Sequence, residues 1–146
     1  LFPARQVLAP AAAHLAQGGK LSLLGPAVRD YRQRALLRPS ADQQQGHIKG
    51  SVMDIDHYGN LITNIPRTLF QRMGHERPFA LELPRRQTLH RLRQQYHEAS
   101  EGQTIALFNS LDLLEIAIKD PHSRHYNGAN SMLGIEVGDT LRLVFQ

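Results

Sequence analysis

Asp56, Tyr58 and Asn60 sit close together in the run Asp54-Ile55-Asp56-His57-Tyr58-Gly59-Asn60-Leu61-Ile62-Thr63-Asn64-Ile65. A carboxylate can hold an ammonium or hydroxyl group. A carboxamide can pair with the edge of a heterocycle through both donor and acceptor, and a tyrosine ring can stack on a flat group. Such a set fits a small polar ligand with a flat part. The competing reading is that Asp56 and Asn60 only satisfy backbone groups of a turn, as short polar side chains often do. Spacing leaves both open. Asn109-Ser110 is a second polar pair between apolar runs, and taken alone it reads as a hairpin turn. His57 is the best-placed acid–base group, because imidazole titrates near neutrality. His122 and His125 form a loop-like patch with no third ligand at a recognisable spacing, so no metal site is expected. Gly-rich phosphate loops, nucleophile elbows and zinc-protease helix motifs are absent. With no Cys, disulfides, thiolate metal sites and a Cys nucleophile are excluded.

These residues must be positioned by a chain of 146 residues, about one domain's worth. Hydrophobic residues make up 41% and charged residues 21%, ordinary for a globular domain and unlike a disordered tail. No run approaches the ~20 apolar residues that cross a bilayer, and no basic head precedes an apolar stretch, so a cytoplasmic protein is expected. The chain starts at Leu1 rather than Met and is expected to be a piece of something longer. Its net charge is +4, with fourteen Arg against three Lys. Arg pairs well with phosphate, which raises a nucleic-acid reading. The Arg residues are nevertheless spread out, aromatics are only 6% and Trp is absent, so a stacking platform is poorly supplied. A solvated basic face is the simpler expectation, with a basic nucleic-acid-binding barrel as the weaker alternative.

Ala9 to Gln17 reads as a short helix, with Pro10 in its first turn and Gly18 in the left-handed position after it. The polar stretch 39–46 reads as a linker. After it the pattern becomes alternating. Apolar runs around 48–55 and 61–65 flank the His57-Tyr58-Gly59-Asn60 turn, and Pro66 to Gly74 reads as a helix stopped by Gly74. Residues 79–83 with 88–92, and 105–108 with 113–118, read as hairpin pairs, and 141–145 as a closing strand. The expected fold is mainly β: a small antiparallel β-barrel over 47–146, preceded by a helical segment and connector over 1–38.

The motif at 55–65, together with Ala9-Pro10-Ala11-Ala12-Ala13-His14-Leu15-Ala16, resembles the S-adenosylmethionine hydrolase (hydroxide adenosyltransferase) family, relatives of fluorinase and chlorinase. Asn109-Ser110 leading into Leu114-Glu115-Ile116-Ala117, and Leu133-Gly134 leading into Gly138-Asp139, are similar to that family's closing segments in the same order. The resemblance covers nearly all of this chain but only the C-terminal part of the family's usual length. It implies that residues 1–38 are the tail of an α/β N-terminal domain and that the barrel is the C-terminal domain. It also implies a homotrimer, with S-adenosylmethionine bound between the N-terminal domain of one subunit and the C-terminal domain of its neighbour. Carried over residue by residue, Asp56 would bind the methionine amino group and Ser110 would assist there. Tyr58 would lie beside the adenine, Asn60 would hydrogen-bond its edge, and backbone near Asn127 to Ala129 would complete that contact.

The implied chemistry is displacement at the ribose C5′ with methionine leaving, for which the sulfonium is already activated. No metal or further cofactor is therefore expected. The resemblance places the water-activating Asp, Arg and His in the N-terminal domain, and no catalytic residue in this chain. Leu1-Phe2-Pro3-Ala4-Arg5-Gln6 departs from the family's Thr-Phe-His-Gly-Arg-Asp, with Pro3 at the His and Gln6 at the last Asp. Leu111-Asp112 replaces a small or basic residue and Gly, and 120–126 reads as an insertion. The isolated chain is expected to be inactive. The alternative is a non-catalytic member that binds S-adenosylmethionine or adenosine, or serves as a structural module.

Overall fold

The structure is a computed structural model that describes residues 2–28, 30, 37–119 and 128–146. It divides into two compact units, Leu1–Ala35 and Leu36–Gln146. In the first, a π-helical turn at Ala4–Leu8 runs into α1 (Ala9–Ala16), with Pro10 in the first turn and Gly18 at φ 78° after the end. A 3₁₀ turn follows at Leu21–Leu23. None of these elements buries a residue, and Phe2, Leu8, Leu21 and Leu23 are exposed.

The second unit holds β1 (Ser40–Asp42), β2 (His47–Ile55), β3 (Leu61–Pro66), α2 (Arg67–Gly74), β4 (Phe79–Glu82), β5 (Thr88–Leu89), β6 (Thr104–Phe108), β7 (Leu113–Ile118), α3 (Gly128–Leu133) and β8 (Thr140–Phe145). The strands pair antiparallel in the order β5-β4-β8-β2-β3-β7-β6, with β1 on β2. β2 is the hinge of this arrangement. Its first half pairs with β8 (Ile48 opposite Leu143), and past a register shift between Val52 and Asp54 it pairs with β3 (Ile55 opposite Leu61). Such an irregularity bends a strand and lets one sheet curl. Beyond β5 the chain crosses to β6, where Arg93 bridges Leu107 in parallel and the Arg93 N–H donates to the Ala106 carbonyl at 2.8 Å. The sheet is thereby nearly closed into the expected barrel, around a core that includes Ile48, Leu61, Leu81, Leu114, Ile116 and Leu143.

The polar stretch 39–46 is not a bare linker. Ser40–Asp42 pairs with β2, and the Asp42 carboxylate accepts the Gln45 N–H at 2.9 Å in the turn that follows. The edge of β2 offers unpaired backbone groups that a polar segment can satisfy as well as an apolar one. The second strand of the 79–92 hairpin stops at Leu89, because the chain then leaves β4 for β6. After α2 the left-handed position is taken by His75 (φ 46°), not Gly74. Gly74 serves packing instead, since a Cβ there would lie 2.9 Å from the Phe145 ring. At the β4–β5 turn, Arg85 and Arg86 both have positive φ, 57° and 59°. The left-handed region costs a side-chain-bearing residue about 1–2 kcal/mol.

Candidate functional site

The β2–β3 turn carries three of the expected site residues. The Asp56 N–H donates to the Asn60 carbonyl at 3.1 Å and the Gly59 N–H to the Asp56 carbonyl at 3.0 Å, with Gly59 at φ 79°. Asp56 Oδ1 accepts the backbone N–H groups of Tyr58 (2.8 Å) and Asn60 (2.9 Å), and Oδ2 accepts Asn60 Nδ2 at 2.9 Å. The carboxylate thus does satisfy the turn. That bonding also holds the Asn60 carboxamide in one orientation. Asn60 is buried except for 8% of its surface, and one amide hydrogen and Oδ1 lie outside the bond to Asp56. Tyr58 is 77% exposed, with its ring edge-on to His57 at 5.6 Å.

α3 braces this turn from behind. The Asn130 N–H donates to the Gly59 carbonyl at 3.0 Å, and a Cβ on Gly128 would lie 2.1 Å from the Tyr58 carbonyl oxygen. Ala129, between them, is fully buried in the core. Asn130 Oδ1 is buried and has no hydrogen-bond partner among the described residues. Asn127 and the 120–126 insertion lie outside the described residues, as do His122 and His125.

Ser110 belongs to a different wall. Asn109 Oδ1 accepts the N–H groups of Leu111 (3.0 Å) and Leu113 (3.2 Å), forming the expected hairpin turn and leaving Ser110 exposed. Ser110 lines a cleft of about 730 Å³ together with Ile62, Tyr96, Leu107, Phe108 and Glu115. Glu115 lies on β7 opposite Ile62 of β3 and Leu107 of β6, and is 4% exposed. A carboxylate among apolar neighbours needs a donor, and the Tyr96 hydroxyl supplies one. Tyr96 is held by the 3₁₀ turn Tyr96–Glu98, closed by reciprocal bonds between Gln95 and Glu98. The Tyr96 phenol is pushed well above its ordinary pKa, first by burial, then by the Glu115 hydrogen bond and charge, and last by the charge of Asp56.

Tyr96 and Glu115 were not singled out from the sequence as site residues. The signal was an acid inside the apolar run 113–118, where a charge has to be explained. In the first unit, Pro3 caps the π-helical turn, and Gln6 Oε1 accepts the Phe2 N–H at 3.4 Å.

Residues 50–142 match the SAM hydroxide adenosyltransferase C-terminal domain. Two curated relatives are each named (R)-S-adenosyl-L-methionine hydrolase. The one from Thermus thermophilus is 33% identical over 98% of this chain and 49% of its own length. The one from Salinispora arenicola is 27% identical over 97% of this chain and 50% of its own length. The chain thus spans about half the length of the curated relatives it matches. Among solved structures, an uncharacterized conserved protein from Thermotoga maritima superposes with a TM-score of 0.63 at 24% identity, over 98% of this chain and 52% of that one. A conserved hypothetical protein from Thermus thermophilus superposes at 0.53 with 28% identity, over 99% and 52%. No helix among the described residues is long and apolar enough to cross a membrane.

Proposed function

The chain belongs to the SAM hydroxide adenosyltransferase family through its C-terminal domain, and on that premise we propose that it supplies half of a pocket for S-adenosylmethionine. Asp56 and Ser110 take the methionine end. Tyr58, Asn60 and the backbone beside Ala129 take the adenine. The other half comes from the α/β N-terminal domain of a neighbouring subunit in a homotrimer. The exposed apolar residues of the first unit, Phe2, Leu8, Leu21 and Leu23, support this reading, because such residues in a domain tail need a core to join.

The observation that carries the proposal is the Asp56–Asn60 turn, whose carboxylate fixes the orientation of a nearly buried carboxamide. Ser110, far from that turn in sequence, lines a cleft with Tyr96 and with Glu115, which the Tyr96 hydroxyl meets. In the proposed reaction a water oxygen attacks C5′ and the C5′–S bond breaks, its electron pair returning to sulfur. The water loses a proton, and the products are adenosine and methionine. This chain's residues bind and orient, which for a displacement at a charged sulfonium is a large part of the catalysis. The water is positioned outside this chain, so the chain alone has no turnover.

A second reading follows from Pro3 and Gln6, which stand at the resemblance's His and Asp positions. Proline has no proton to give or take, and a member lacking that pair retains nucleoside binding without hydrolysis. Incubating the intact protein with S-adenosylmethionine separates the two. Adenosine and methionine in equal amounts support the enzyme. Saturable adenosine binding that is lost in Asn60→Ala, with no product, supports the binding module.

A further inference from the structure

The barrel seam between Leu83 and His97 carries a run of arginines with no acid among them. Arg85, Arg86, Arg91 and Arg93 fall in that segment, which contains no Asp or Glu. With four arginines and no acid, the segment carries a local formal charge of +4. Among the other described arginines, Arg67 Nε meets Asp112 at 2.7 Å, Arg142 meets Glu82 at 3.6 Å, and Arg77 donates to the Met73 and Gly74 carbonyls. No ion pair is seen for the four seam arginines among the described residues.

Their placement runs against backbone preference. The Gln87 N–H closes on the Pro84 carbonyl at 3.4 Å, and the residues between are Arg85 and Arg86, both at positive φ. Hairpin turns with two positive-φ residues favour Asn-Gly, which adopts that geometry with less strain. Arginine here opposes turn stability while presenting two guanidinium groups at an exposed tip. Strain retained at a surface site points to a use for the side chains. From the tip the segment continues past Gln87, whose side chain meets Thr104 Oγ1 at 3.5 Å. It then enters a cleft of about 220 Å³ between β5 and β6, lined by Thr88, His90, Arg91, Arg93, Gln103 and Thr104.

We propose that this seam, with its strained arginine turn and the adjoining cleft, binds the phosphate backbone of a nucleic-acid strand without base preference. Arg85 and Arg86 stand at the turn and Arg91 and Arg93 at the cleft, two cationic features in succession that suit a polymer with repeating charge rather than one small anion. Guanidinium groups pair with phosphate in a bidentate fork. Residues 83–95 contain no Phe, Tyr or Trp, so phosphates rather than stacked bases are the target. They also contain no exposed large apolar residue of the kind that anchors a protein to a lipid surface.

The test is fluorescence anisotropy of the intact protein with a labelled single-stranded oligouridine, across a salt series. The expected result is saturable binding whose log–log salt slope is about −3, as four phosphate contacts on a single strand require. In Arg85→Asn/Arg86→Gly the affinity falls at least about tenfold and the slope weakens by about 1.4, while Tm rises by about 4 °C as the turn relaxes. Arg85→Gln/Arg86→Gln loses the same affinity, and a charge-matched control, Arg5→Gln/Arg38→Gln, keeps it. Unchanged affinity in both turn variants overturns the proposal. So does an equal loss in the control, or capture by phosphatidylserine vesicles or polyglutamate with none by the oligonucleotide.

Discussion

Asn60 hangs from Asp56 by two bonds at once, its backbone N–H on Oδ1 and its carboxamide on Oδ2, each at 2.9 Å. A third bond, from the Tyr58 N–H, makes the carboxylate the node of the turn. Hydrogen bonds to a charged group contribute about 1.5–3 kcal/mol each when buried, and less where water competes. Asp56→Ala is therefore expected to lower stability by about 2 kcal/mol, and to free the Asn60 carboxamide as well. Denaturant unfolding measures the first effect. If adenosine affinity survives in a variant that is so destabilised, Asp56 has no part in orienting Asn60.

Gly128 is required by the close approach of α3 to the same turn. An added Cβ would meet the Tyr58 carbonyl oxygen at 2.1 Å, and the residue already sits at φ 83°. Gly128→Ala should destabilise by at least about 2–3 kcal/mol, combining backbone strain with a clash against backbone that cannot rotate away. Gly102→Ala makes a useful contrast: its φ is also positive, at 71°, but a Cβ there meets nothing within 4 Å. Thermal unfolding of the two variants should differ clearly. Equal losses would show that the contact with the turn is not tight.

The Tyr96–Glu115 bond gives stability a dependence on alkaline pH. The folded phenol has a raised pKa, so the unfolded chain loses its proton first, at about pH 10. The folded state then binds more protons than the unfolded one, and stability falls as pH rises beyond that point. The contribution is fully present below about pH 10 and is lost upward through the folded value. Tyr96→Phe should flatten this decline, whereas Tyr58→Phe, at an exposed ring, should leave it intact. Urea midpoints from pH 8 to pH 11 provide the comparison, and identical slopes in wild type and Tyr96→Phe would contradict the assignment.

Thr63 joins two strands from inside the core. Fully buried, its hydroxyl donates to the Leu114 carbonyl at 2.8 Å and accepts the Ile65 N–H at 3.2 Å. Thr63→Val keeps the shape and strands both partners. A cost of about 1–3 kcal/mol is expected from leaving buried polar groups unpaired. A neutral result in chemical denaturation would mean that the carbonyl and amide find other partners.

The barrel was legible because alternation and turn chemistry are local. Phe79 to Leu83, Ile105 to Phe108 and Leu141 to Phe145 declare themselves by period and by flanking polar residues. Ser40–Asp42 did not, because edge pairing asks only for backbone and leaves no apolar trace in the sequence. α3 was hidden for a related reason: at six residues, Gly-Ala-Asn-Ser-Met-Leu is too short to hold a helix on its own, and burial of Ala129 and Leu133 accompanies its helical form. For the site, the Asp56–Asn60 turn could be read directly, since its chemistry and its spacing coincide. The role of Glu115 required knowing that Tyr96, nineteen positions earlier, reaches it across the sheet.

The central claim, that this domain forms half of a nucleoside and methionine pocket, is tested most directly by calorimetric titration of the intact protein with S-adenosylmethionine and adenosine, in wild type and in Asn60→Ala. Saturable binding of both ligands is expected, with affinity reduced about tenfold or more in the variant, as loss of a paired hydrogen-bonding edge implies. Equal affinity in wild type and variant, or no saturable binding of either ligand, would contradict it.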